Sequence, residues 1–272
     1  MSADDATRSG TQRRKFPHLK RPPIAEVVCG FLFAPIPKLD AFEFGVYWDK
    51  RRDEYPDKEM RLGLIDDAKL EPSPRAWLIS PDDGPLLQQL QNDRFYLNWR
   101  RRDDELYPRF SDRADQPGLR TAASSEFQIF SEFCAARPTI GVRPRVAQIE
   151  LTKVDSFERG RDWNELEELD DLLPITRAIT ATRQSNQIRL SMSEREELHA
   201  GWLKVQINSS NDARGDLSAI RLETRVSLTV GPELGVTAAF EQANARLNDV
   251  FFRLVPNASE SFGTAQDEGD EE

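Results

Sequence analysis

Histidine and cysteine are scarce: only His18, His199, Cys29 and Cys134 occur in 272 residues. His18 falls in a charged N-terminal arm and His199 in a charged turn, so the pattern gives no support to a Ser-His or Cys-His nucleophile pair. The cysteines sit inside apolar segments without metal-ligand spacing. They read as buried thiols in a reducing compartment, which argues against a zinc site or a disulfide framework. Neither the Walker pattern nor the dinucleotide fingerprint occurs, so nucleotide binding by those routes is excluded and no cofactor or metal is expected. No apolar run approaches the length of a bilayer span and residues 1–20 are polar, so no membrane partner is expected and the cytoplasm is the default location.

What is present is the composition of an ordinary globular protein, 38% hydrophobic and 31% charged, with enough chain for one large or two small cores. The formal charge of −10 argues against a general nucleic-acid binder. That charge is unevenly placed. Residues 257–272 carry Glu260, Asp267, Glu268, Asp270, Glu271 and Glu272 with no basic residue, and Arg8, Arg13, Arg14, Lys15 and Lys20 make residues 1–20 a basic arm. Both ends read as disordered. The acidic run Glu165, Glu167, Glu168, Asp170 and Asp171 lacks the glycine-turned loop of a calcium site and reads as a solvated helix face.

The chain repeats its own order of elements. A strand-like run opens at Arg21-Pro22-Pro23-Ile24-Ala25-Glu26, another at Pro144-Arg145-Val146-Ala147-Gln148, and Ala147 lies 122 residues after Ala25. Alternation and turn chemistry predict a strand over 24–33, a helix capped by Asp40 and ended by Tyr55-Pro56, strands over 76–80, 86–90 and 94–100, and a helix over 122–136. The second pass predicts a strand over 147–154, an acidic helix over 163–173, strands over 186–192, 201–208 and 218–230, and a helix over 233–255. Hairpin-linked alternating strands indicate an α+β protein: duplicated β-α-β-β-β-α-like units, 21–140 and 141–256, forming a largely antiparallel sheet with helices packed on one face. A single shared sheet is expected, with a concave polar face opposite the helices.

On that face Phe95, Leu97 and Trp99 should point to the helices, and Arg94, Tyr96, Asn98 and Arg100 away from them. With Arg101, Arg102, Tyr107, Arg109 and Arg113 they form the richest basic and aromatic cluster, although Asp103, Asp104, Glu105 and Asp112 interleave. Glu26 and Glu150, one in each opening strand, are assigned to the same open face. Candidate binding residues are therefore Glu26, Arg94, Tyr96, Asn98, Arg100 and Glu150, and none is singled out as catalytic.

The run 21–28, Asp93-Arg94-Phe95, Asn98-Trp99-Arg100, Tyr107-Pro108-Arg109-Phe110, Gln148-Ile149-Glu150-Leu151 and Ser261-Phe262-Gly263, in this order, resemble a sporadically distributed, uncharacterised bacterial family with an N-terminal PPIAE-type motif and an NWR…YP motif. The similarity runs over most of 19–263. It implies an accessory gene of patchy occurrence without an assigned activity, substrate or cofactor. Three functions follow, in order of expectation. First is a non-enzymatic binding or regulatory protein acting on another protein, in a toxin-neutralising or defence setting. Second is a nucleic-acid or nucleotide-ligand binder using the Arg/Tyr/Asn sheet face. Third is a hydrolase or transferase using Glu26 or Glu150.

Overall fold

The computed structural model describes residues 16–64, 73–81, 84–102, 107–113, 116–177, 189–196 and 201–265. His199, residues 1–15 of the basic arm and residues 266–272 of the acidic tail lie outside the described residues. The elements in chain order are β1 (Ile24–Phe33), α1 (Ala41–Arg51), β2 (Asp57–Leu62), β3 (Pro74–Ile79), β4 (Leu86–Gln91), β5 (Arg94–Arg100) and α2 (Leu119–Ala136). These are followed by β6 (Val146–Glu158), α3 (Leu166–Leu172), β7 (Arg189–Glu196), β8 (Gly201–Asn211), β9 (Leu217–Thr229), α4 (Val236–Leu254) and α5 (Ala258–Phe262).

The nine strands among the described residues join one antiparallel sheet in the order β2-β3-β4-β5-β1-β6-β9-β8-β7, so the fold is α+β. β1 and β6 pair at its centre, with Cys29 opposite Leu151. Outward from that pair the chain lays down β5, β4 and β3 on one side and β9, β8 and β7 on the other. β2 extends the sheet beyond β3. Its sequence, Asp57-Lys58-Glu59-Met60-Arg61-Leu62, lacks apolar alternation and gave no strand signal, but every residue pairs with β3 and stays exposed.

One sheet face is sealed by helices. Asp40 caps α1 by accepting hydrogen bonds from the backbone N–H of Phe42 and Glu43 at 2.9 and 3.2 Å. The cap orients α1 so that Tyr47 faces Phe130 and Phe133 of α2. Phe31 is the hub of the core: its ring stacks on Phe127 of α2 at 4.5 Å and meets Phe95 of β5 and Phe240 of α4 edge-on at 6.1 and 5.2 Å. Cys29 and Cys134 are buried free thiols, both pushed up to about 12 chiefly by desolvation.

The ends differ from expectation. Phe16 stacks on Phe252, Leu19 bridges Thr264, and α5 packs Phe262 near Phe157. The folded body therefore takes in residues 16–20 and 257–265, because Ala258 and Phe262 bury apolar surface that the acidic composition of the tail obscured. No described helix is long and apolar enough to cross a membrane.

Candidate functional site

β5 alternates as expected, with Phe95 against the helices and Arg94, Tyr96, Asn98 and Arg100 on the opposite face. β1 contributes Glu26 and Gly30 to that face and β6 contributes Gln148 and Glu150, since Glu26 pairs with Arg100, and Gly30 lies between Tyr96 and Glu150. The structure thus brings all six candidate residues onto one face.

It does not leave them open. Arg94, Tyr96 and Asn98 are 5%, 3% and 2% exposed, in contrast to the accessible docking surface expected there. The reason is cross-strand packing. Tyr96 lies flat over Gly30, where a Cβ would stand 2.4 Å from its ring, so the absent side chain is the seat of the tyrosine. Burial first, and the Glu150 carboxylate second, push the Tyr96 phenol well above its ordinary range. Arg94 grips Asp93 with Nε and Nη2 at 3.0 and 3.1 Å, a bidentate pair on the β4–β5 turn.

Asn98 is held from both sides, donating from Nδ2 to Glu26 at 2.6 Å and accepting from Gln89 Nε2 at 2.9 Å. Glu150 lies 3.5 Å from Arg225, which also holds Glu223 at 3.0 Å. Across the central pair Gln148 hydrogen-bonds Ser227, so Glu26–Asn98 and Gln148–Ser227 bracket the middle of the face. These contacts tie β4, β5, β1, β6 and β9 together across the polar face. Tyr107 leaves the expected cluster, because its ring packs against Trp99 on the helix side.

The β7–β9 end of the face is more accessible than its centre. Trp202 of β8 is 54% exposed. Register places it beside Arg195 of β7 and Ser227 of β9, with Lys204 between Ser193 and Arg225, and Asn208 between Arg189 and Arg221. Arg189, Arg195, Lys204 and Arg221 therefore share one face with the tryptophan, and none of the four has a carboxylate partner among the described residues. None of them is singled out from the sequence, although the alternation of 201–208 places Trp202 in phase with Lys204 and Gln206 on the polar side of the strand.

A second group lies on the opposite, helix-covered side. Lys153 and Asp155 are 7% and 2% exposed, and Lys153 Nζ donates to Asn248 of α4 at 2.8 Å. A signal for them existed: both fall in phase with Ile149, Leu151 and Phe157, which face the core. Elsewhere, a shallow cavity of about 420 Å³ is lined by Arg159, Asn164, Glu165 and Asp212, away from Glu26 and Glu150. The acidic run of α3 is used locally, Glu165 and Glu168 closing a capping box and Asp171 meeting Arg177. No group of potential metal ligands occurs among the described residues. Comparison with family models, with curated proteins and with solved structures finds no match for this chain.

Proposed function

We propose that this chain is a non-enzymatic binding protein of bacterial accessory type, which seats an acidic surface of a partner protein on β7, β8 and β9 with Trp202 as the anchor. The observation that supports this is an exposed tryptophan with Arg195 opposite it and Lys204 two residues on, on a strand face that Arg189 and Arg221 extend around Asn208, the four cations having no carboxylate partner among the described residues. Tryptophan and arginine dominate the energetics of protein interfaces, and uncompensated charge selects partners of opposite sign. A protein fits better than single-stranded nucleic acid because base stacking needs several free aromatic faces, and Tyr96 is committed to Gly30. Catalysis by Glu26 or Glu150 lacks support, since one carboxylate is bound to Asn98 and the other to Arg225. The mirrored strand order also leads us to read the two halves as copies of one unit, whose fusion made a platform wide enough to dock a partner. A cytoplasmic role in toxin neutralisation or defence suits such a device.

Affinity capture from an extract of the source bacterium tests this. Wild type and a helix-layer control, Gln128→Arg, are expected to retain a protein that Trp202→Ala and Arg195→Glu/Lys204→Glu lose by more than about tenfold, the scale of one interface hot spot. Equal retention by all four baits, or retention abolished by nuclease, would overturn the assignment.

A further inference from the structure

We propose that Lys153 and Asp155 form a proton-operated latch beneath α4: the seat of that helix is loosest while both groups are charged, and protonation of Asp155 tightens it. The observation behind this is an internal contrast. α2 lies over β1 and β5 as α4 lies over β6 and β9. Phe31 of β1 and Lys153 of β6 stand 122 residues apart, the same offset that separates Ala25 from Ala147. Counted from the helix starts at Leu119 and Val236, Phe127 corresponds to Asn244 and Ser131 to Asn248.

In the first half this layer is closed by the stacked Phe31–Phe127 pair. In the second, Lys153 stands at the position of Phe31 and Asn244 at that of Phe127, Lys153 donates to Asn248 one helical turn on, and Asp155 is buried two residues along β6. The fold therefore accepts an apolar seat here, and the polar one is a departure that packing alone does not demand. Buried ionic groups are commonly no more stabilising than apolar ones of similar volume, so their presence calls for another reason.

Besides Lys153, the one cation that acts on Asp155 among the described residues is Arg101, and Lys153 also holds Asn248. Cys29 faces the pair from β1, Thr224 from β9, Arg101 from just past β5, Tyr107 from the following connection, and Asn248 from α4, with Asn244 one turn earlier on that helix. The Tyr107 hydroxyl and Asn244 Oδ1 are buried and make no hydrogen bond among the described residues. Of the charged groups on α4, Glu241 turns to Arg120, and Asp249 turns to Arg246 and Arg253.

Burial raises Asp155 far above the usual carboxylate range, with Lys153 and Arg101 opposing, and lowers Lys153, with Asp155 and Cys29 opposing. The raised acid binds its proton more tightly in the folded state, so its contribution is complete below its unfolded value of about 4 and is lost as pH rises through the folded one. The lowered amine imposes its cost below its unfolded value of about 10.4 and is relieved as pH climbs towards it. The two effects meet near neutrality, where the α4 seat is weakest.

Amide hydrogen exchange of residues 243–250, corrected for the intrinsic pH dependence, reads the latch directly. Wild type is expected to show protection on the order of tenfold higher at pH 5.5 than at pH 7.5, the effect of about one unit of displaced titration. Asp155→Asn should give the tight value at both. Lys153→Met, which removes the neighbouring cation, should keep α4 tight to higher pH than wild type. Protection in wild type that does not change with pH, or the same pH response in Asp155→Asn, or an unmoved transition in Lys153→Met, would overturn the latch.

Discussion

Phe31→Ala is expected to destabilise the fold by about 4 kcal/mol, the middle of the range for truncating a buried aromatic. The residue is buried in the central strand, and its ring is shared by α2 through Phe127 and by α4 through Phe240. Removing it deletes apolar burial, leaves a cavity that three neighbouring rings cannot jointly fill, and forfeits aromatic pairs each contributing about 0.5–1.5 kcal/mol. Domains of this kind are stable by about 5–15 kcal/mol, so a large share of the total disappears. Urea denaturation followed by tryptophan fluorescence should show the midpoint fall with little change in slope. A loss below about 1 kcal/mol would mean that α2 and α4 do not meet over β1.

Arg137→Ala carries the second large effect, and it is conditional on pH. Glu43 is buried on α1, and Arg137, just past the end of α2, grips it with Nε at 2.8 Å and Nη2 at 3.1 Å while Thr139 also donates. The hydrogen-bonded Arg137 guanidinium, more than any other group, holds the Glu43 carboxyl below its usual range. A lowered folded value means stability that is present above the unfolded value of about 4.3 and is lost as pH falls through the folded one. Removing the arginine leaves a buried carboxylate without its cation, at a cost of about 3 kcal/mol near pH 7. Near pH 3, where Glu43 is protonated in the variant, the cost should shrink to that of lost side-chain packing. Denaturation curves at the two pH values give the difference, and an equal cost at both would show that the pair is not what joins α1 to α2.

The sequence carried much of the sheet and little of its surface. β1 was legible to the residue, because ten residues of alternating β-branched, aromatic and apolar character are bounded by Pro23 and Pro35. β9 and α4 were legible to within a few residues for the same reason: their periods of 2 and 3.6 persist over many turns of pattern. β2 was missed because an exposed edge strand needs no apolar face. Periodicity also told which side Arg94, Tyr96 and Asn98 would take, but not that Gly30 would leave a hollow for the Tyr96 ring or that Glu26 would reach Asn98. Those facts depend on the β1–β5 register, which joins residues far apart in the chain. Lys153 and Asp155 are readable in principle, being charged positions in an apolar phase, but the pattern predicts a strand that ends at residue 154 and leaves Asp155 outside it.

The sheet thus has three zones: an apolar face closed by helices, a polar centre tied by the Glu26–Asn98–Gln89 and Gln148–Ser227 contacts, and the β7–β9 end of that face, where cations and Trp202 meet solvent. Photo-crosslinking in the source cell separates them most directly, with benzoylphenylalanine placed in turn at Lys204, at Gln89 in the central lattice and at Gln128 on α2. The account expects a protein adduct from position 204 and none from 89 or 128. An adduct from 89 or 128 but not from 204 would contradict it.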